Sequence, residues 1–395
     1  MSLKTIPLFD LQMTEADLAA VDETLRSGWL TMGPRTQAFE AAFAEHLGVR
    51  HAVALSSCTS ALHLAYLAAG VGPGDEVIVP AITFVATAAA ARYCGAEAVL
   101  ADVCGPLDLG VDPDDVAARI TSRTKAVCAV HFAGYPAAVE RLAELCAEHG
   151  LALIEDVAHA PLARSRRDGK PLGTLGLAGT FSFFSNKVLS CGEGGLLATD
   201  DDDVAALARR LRSHAMTSGT WDRHRGHARS YDVVGVGYNY RLDEPRAALL
   251  TSRMTRLEED VARRRELVHC YRAQLAGTPG LVIPYADDEV ELSSCYVMPV
   301  LLESAEHRDP LRTALQEEFG VQTSVLYPAI HEFSAYLTEG DRGLPQSERV
   351  ARAEITLPLY PHLTEEDQDR VVDGVRAGLA KLSGRSPALA PRAAG

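Results

Sequence analysis

The chain has 395 residues, enough for two domains or for one large domain with a smaller appendage. Its 38 basic and 53 acidic residues leave a formal net charge of −15, which disfavours nucleic acid and anionic membrane faces and points to a soluble protein that handles small molecules. Met1 to Asp10 lack the apolar core of a secretory signal, no stretch reaches the roughly 18 apolar residues a spanning helix needs, and the cysteines include no C-x-x-C pair, so a reducing cytoplasm is expected and neither a metal nor a disulfide framework is signalled.

In chain order, short unbroken apolar runs at 52–55, 76–79, 98–101, 125–130 and 151–154 read as strands. Runs without alternation suit parallel strands covered on both faces, so an α/β sheet is expected. Between them, 61–69 reads as an apolar helix and 136–149 as an amphipathic one stopped by Gly150. An aromatic strand then leads into Lys187. The charged stretch Asp243 to about Leu275 has the spacing of one long connecting helix. Beyond it, 281–302 and 321–327 read as strands, and Thr364-Glu-Glu-Asp367 as a capping box opening a final helix. The expected division is a large domain over 1–250, a smaller α+β domain over 251–382 and an unstructured tail over 383–395.

Three pieces carry chemistry. Lys187 lies in Gly179-Thr-Phe-Ser-Phe-Phe-Ser-Asn-Lys-Val-Leu-Ser-Cys-Gly-Glu-Gly-Gly195, after an aromatic strand and before a glycine-rich turn. A lysine that attacks an aldehyde must be neutral part of the time, and an apolar setting lowers its pKa; Phe181, Phe183 and Phe184 are candidates to supply it. The competing reading is a surface lysine at a strand end. Leu151-Ala-Leu-Ile-Glu-Asp156 ends in a carboxylate at the sheet edge where ligands bind; it either pairs with a ligand cation, such as a protonated pyridine nitrogen, or caps the next turn. Ser56-Ser-Cys-Thr-Ser-Ala61 puts small hydroxyl residues at a helix start, which suits a phosphate and equally an ordinary N-cap.

With Ser27-Gly-Trp-Leu-Thr-Met-Gly-Pro34, Thr83-Phe-Val-Ala-Thr87, His131-Phe-Ala-Gly134, Glu155-Asp-Val-Ala-His-Ala160, Gly192-Glu-Gly-Gly195 and Tyr238-Asn-Tyr-Arg241, the sequence from about Ile6 to Leu382 resembles the DegT/StrS-type sugar aminotransferases of the aspartate-aminotransferase fold, fold type I. The resemblance implies pyridoxal 5'-phosphate (PLP) held by Lys187 as a Schiff base. Asp156 would pair with the pyridine nitrogen, His159 would meet the phenolic oxygen and Phe84 would stack on the ring. Ser57, Cys58, Thr59 and Ser182 would hold the phosphate, with Asn186 beside the cofactor. Asn239 would reach the phosphate of the neighbouring subunit, which implies a homodimer with its active sites at the subunit interface. Substrate contacts would fall to Trp29, Thr31, Arg229, Tyr327 and His331.

The basic run Trp221-Asp-Arg-His-Arg-Gly-His-Ala-Arg229 suits a diphosphate, whose oxygens match guanidinium forks, or is a solvated loop. The resemblance further implies L-glutamate as amino donor and, at a few positions, amination at C-4 of a dTDP- or GDP-linked 4-keto-6-deoxyhexose. Two departures matter. Cys58 stands where Gly or Ala is commoner, and Lys187 stands where sugar dehydratases of the family carry His. A PLP-dependent dehydratase and a non-catalytic regulatory relative are the alternatives. No G-x-G-x-x-G or G-x-x-x-x-G-K-[ST] string supports a dinucleotide or P-loop enzyme.

Overall fold

The computed structural model describes residues 4–219, 221, 224–226, 230–337 and 343–384. The first half runs α1 (Glu15–Arg26), α2 (Pro34–Leu47), β1 (His51–Leu55), α3 (Cys58–Ala68), β2 (Glu76–Pro80), α4 (Ala86–Tyr93), β3 (Glu97–Ala101), β4 (Val103–Gly105), β5 (Asp108–Val111), α5 (Pro113–Arg119), β6 (Thr124–Val130) and α6 (Val139–His149). It continues with β7 (Ala152–Asp156), β8 (Ala178–Ser182), β9 (Gly195–Thr199) and α7 (Asp202–Leu211). After the basic run come α8 (Glu244–Met254), α9 (Leu257–Leu275), β10 (Leu281–Val282), β11 (Met298–Leu302), α10 (Arg308–Phe319), α11 (Pro345–Ala353), β12 (Glu354–Leu357) and α12 (Glu365–Leu382).

Seven strands form one sheet in the order β1-β9-β8-β7-β6-β2-β3, parallel except for β9, which runs against both β1 and β8. Neighbouring residues of each strand enter opposite cores. Ala52, Ala54, Ile78, Val127, Leu153 and Leu196 join the core that holds Phe39 and Phe43 of α2. Val53, Leu55, Val77, Val79, Ile154 and Leu197 join the one that holds Leu62 of α3 and Ala90 of α4. With both faces covered, every position must be apolar, which is why the runs do not alternate. The fold is therefore the expected α/β one. Gly150 ends α6 in the left-handed region (φ 66), where a side chain would be strained.

A second, three-stranded antiparallel sheet has the order β10-β11-β12. Here the structure departs from the sequence expectations. Of 281–302 only the two ends are strand. Between them Ser294 and Tyr296 donate their N–H groups to Gly134 O (3.1 Å) and Ala133 O (3.0 Å), so this backbone is spent on the turn after β6. Val321 to Tyr327 makes only isolated bridges, Val321 with Ile6 and Ser324 with Thr356, while Leu326 N–H is taken by the Glu354 carboxylate at 2.7 Å. The expected single helix from Asp243 is two, broken at Arg256 (φ −119, ψ 8), whose guanidinium grips Asp17 of α1 at 2.7 and 3.0 Å. Thr364 caps α12 as its sequence suggests, accepting from Asp367 N–H.

Candidate active site

The strand register brings distant residues into two neighbouring rows, two residues apart along β8. Leu55 lies opposite Gly195, Gly195 opposite Ser182, Thr180 opposite Asp156, and Asp156 opposite Val130. This is the carboxyl edge of the parallel strands, where open α/β sheets bind ligands. At one end of the first row Ser57 caps α3: its Oγ accepts from Ser60 N–H (3.1 Å) and its own N–H donates to Ser60 Oγ (3.0 Å). The N–H groups of Cys58 and Thr59, in the first turn, have no intrahelical acceptor and sit at the positive end of the helix dipole. A Cβ at Gly195 would collide with the Ser57 backbone and Cys58 N, so only glycine lets β9 pass under this turn.

Asp156 ends β7 and is buried. Its carboxylate accepts from Thr87 Oγ1 at 2.9 Å and from Ala158 N–H at 3.1 Å. Burial pushes its pKa up, opposed by these two bonds and by the charges of Lys187 and His131. Lys187 is part-buried, with Nζ 4.4 Å from the centre of the Tyr296 ring. Desolvation brings its amine down to about 8, against the attraction of Asp156 and Cys58. His159 is buried, stacked on Tyr296 with ring centres 4.4 Å apart, and its Nε2 meets Tyr327 Oη at 3.1 Å. Burial, reinforced by Lys187, holds it well below the usual histidine range, so the ring is neutral. Its Nδ1 is buried and has no partner among the described residues.

Phe84 lies over this group, 5.9 Å from the Tyr327 ring, with 55% of its surface exposed. Lys187, Asp156, His159, Phe84, Tyr327 and the Ser57–Thr59 turn thus gather as one candidate site, with Ser182 opposite Gly195 and with Asn186, whose Oδ1 is buried without a partner among the described residues. The aromatic setting of Lys187 differs from expectation. Phe181 and Phe183 turn away and pack edge-on against Phe43 and Phe39 at 5.1 to 5.7 Å, and Phe184 is exposed. Tyr296 supplies the ring instead.

The other candidates lie apart. Trp29 packs on Trp221 and His224 at 4.7 and 4.6 Å, and Thr31 is exposed. Asn239 is exposed and pairs its backbone with Ser213. His331 sits in the turn Ile330–Glu332 with Nε2 3.7 Å from Glu348. No contact among the described residues joins these four to Lys187, and Arg229 lies outside the described residues.

The sequence pattern of the DegT/DnrJ/EryC1/StrS aminotransferase family matches residues 11–376. The chain belongs to this family. It is similar to the spore coat polysaccharide biosynthesis protein SpsC of Bacillus subtilis, 37% identical over 91% of this chain and 93% of that one. Among solved structures it is similar to the aminotransferase TlmJ of Streptoalloteichus hindustanus, with a TM-score of 0.87 and 39% identity over 96% of this chain and 100% of that one. It is also similar to DesI, solved in the presence of its TDP-sugar product, with a TM-score of 0.85 and 34% identity over 98% of this chain and 95% of that one.

Like its family, this sugar aminotransferase is a fold type I, PLP-dependent enzyme. Its residues fit the cofactor. Asp156 is a buried carboxylate with no cation at ion-pair distance among the described residues, Nδ1 of His159 lacks a partner, and the α3 turn offers free N–H groups. Three contributors escaped sequence reasoning. Tyr296 lay in a stretch read as strand. Thr87 and His131 stood in quoted motifs without a role. His131 is fixed as one tautomer, accepting at Nδ1 from Ala137 N–H (3.1 Å) and meeting Glu155 through Nε2 (3.1 Å). The Glu155 carboxylate also accepts from the N–H groups of Gly173, Leu175 and Gly176, so it anchors the chain between β7 and β8.

Proposed function

We propose that this enzyme moves the amino group of L-glutamate to a nucleotide-linked keto-sugar, at C-4 of a dTDP- or GDP-4-keto-6-deoxyhexose, with Lys187 as the catalytic base. One observation carries the reading: an amine lowered to about 8 stands beside a buried carboxylate and a neutral histidine at the carboxyl edge of the sheet. Such an amine is partly neutral near pH 7, so it can both attack a carbonyl and carry a proton. PLP, when bound, supplies the electron sink.

This chain's residues set the conditions for that chemistry. Asp156, dry and held by Thr87 and Ala158, favours a positive charge at the ring nitrogen. His159 presents a neutral edge through Nδ1, and Tyr327 fixes the plane of its ring. Phe84 offers an apolar face, and Ser57, Cys58, Thr59 and Ser182 would hold the phosphate, with Asn186 beside the cofactor. The nucleotide-linked substrate is supported by DesI, solved with its TDP-sugar product, and by the basic run that ends at Arg229. Trp29, Thr31, Tyr327 and His331 are the proposed sugar and nucleotide contacts.

A homodimer completes the site. Val233, Val234 and Val236 are 52%, 56% and 88% exposed beside exposed Asn239, an apolar strip that a second copy would cover. Residues 1–250 and 251–382 are the proposed large and small domains. The eight cysteines are all free, which supports a reducing cytoplasm.

The test is the absorption spectrum of the purified enzyme between 300 and 500 nm. The visible cofactor band should fade on adding L-glutamate and return with 2-oxoglutarate, and the faded form should aminate a 4-keto-6-deoxy sugar nucleotide. A band that ignores L-glutamate rules out this donor.

A further inference from the structure

A second cavity, of about 270 Å³, lies between the N-terminal segment around Phe9, the loop carrying Lys187, and the α8–α9 junction. Two buried guanidinium groups line it, Arg253 (6% exposed) and Arg264 (5% exposed). Neither faces a carboxylate within ion-pair distance among the described residues. Arg253 donates through Nη1 to Gln12 O at 3.1 Å and touches Met13 Sδ at 4.0 Å. Arg264 donates through Nη1 to the carbonyls of Cys295, Tyr296 and Leu359 at 3.1 to 3.4 Å. The Nε of each is buried without a partner among the described residues.

The roles of the two divide. Arg264 spends itself on three carbonyls, one of them that of Tyr296, and so props the ring beside Lys187. Arg253 keeps its Nε edge free. Burial draws its pKa down, and the neighbouring Arg256 adds to this. Asp17 and Asp260 act on it only from beyond ion-pair distance, and a ligand carboxylate matched to the guanidinium fork would offset more of the cost of burying its charge.

The lining also limits the ligand. The volume falls below the roughly 300–1,000 Å³ of pockets that hold drug-sized molecules, so it suits an amino acid and not a nucleotide-linked sugar. Asp10, Glu259 and Asp260 face the same space as Arg256, Arg263 and Lys187, so the lining carries both signs and suits a zwitterion.

We propose that this cavity receives a carboxylate of the amino donor, anchored by Arg253 on its Nε edge. The inference rests on the glutamate reading above and assigns the group that recognises the donor. Arg253 is a binding residue in it and takes no part in proton transfer.

The experiment uses the cofactor-loaded enzyme and glutarate, a dicarboxylate without an amine, titrated by calorimetry. Wild type should bind glutarate, and Arg253→Met should bind it roughly 30-fold more weakly, the worth of a hydrogen bond to a charged group. The L-glutamate concentration that half-fades the cofactor band should rise by a similar factor, while KM for the sugar nucleotide stays unchanged. Arg253→Lys, which keeps the charge but loses the Nε edge, repeats the comparison if Arg253→Met does not fold. Equal glutarate affinity in wild type and variants overturns the assignment of Arg253 and leaves the donor reading standing. A wild-type band that ignores L-glutamate removes the donor reading and this inference together.

Discussion

Lys187 offers the sharpest quantitative test, because its surroundings set how much of it is reactive. Desolvation brings its amine from 10.5 to about 8. At pH 7 that raises the neutral fraction from about 0.0003 to about 0.1, roughly 300-fold. The perturbation is Asp156→Asn. The Asp156 carboxylate attracts the lysine proton and so raises the pKa, while Asn does not, and the variant should titrate lower than wild type. The assay is competitive acetylation of the cofactor-free protein with trace reagent from pH 6 to 11, followed by peptide mapping of Lys187. A midpoint near 8 in wild type and a lower one in Asp156→Asn are expected. A wild-type midpoint near 10 refutes the desolvation argument, and an upward shift in the variant refutes the placement of Asp156. The same shift has a stability sign. A lysine depressed in the folded state binds fewer protons there than when unfolded, so the cofactor-free protein should gain stability as pH rises from about 8 to 10.5, by on the order of 3 kcal/mol.

Lys187→Ala should abolish transamination yet keep the wild-type circular dichroism, since it removes the nucleophile and little core; near-normal turnover would sink the mechanism. Asp156→Asn should lower kcat by roughly 100-fold or more through loss of the ring-nitrogen partner, measured with saturating cofactor. Glu244 is buried and accepts four hydrogen bonds, from the N–H groups of Gly33, Arg35 and Thr36 and from Thr36 Oγ1. Glu244→Ala should therefore cost about 3 kcal/mol in urea denaturation, and a loss under about 1 kcal/mol would contradict its role as the cap of α2. Burial pushes Glu354 from 4.5 to about 8. A carboxyl raised on folding stabilises fully below pH 4.5 and loses that contribution as pH climbs to 8, so Glu354→Gln should flatten the fall in stability between pH 5 and 8. An unchanged slope counts against it.

The sheet was readable because burial on both faces forces the covered positions of a strand to be apolar, as in Ala126 to Val130. The reversal of β9 was not, since antiparallel pairing inside a covered sheet leaves the same apolar run. The facing of Phe181 and Phe183 was legible in principle: residues two apart share a face, and that face meets Phe39 and Phe43 of α2. Lys187 stood out as a cation between an aromatic strand and a glycine-rich turn, and Asp156 as a carboxylate ending an apolar run. Tyr296 did not, because its position depends on bonds to Ala133 O and from Arg264, contacts that no local pattern encodes. The break before α9 was hidden for the same reason: the pull comes from Asp17, 239 residues away.

Gly195 sits between Leu55 and Ser182, so β9 lies between the strand that leads into the Ser57 turn and the strand that leads to Lys187. Until β1, from near the start of the chain, closes onto a strand formed some 140 positions later, no half of the cofactor cradle exists beside the other. Such closure across long sequence separation comes slowly. The proposed cradle is complete only once β1 has paired with β9, and we expect PLP to bind after that step. A fragment ending before Gly195 lacks the strand that joins the two halves of the proposed cradle.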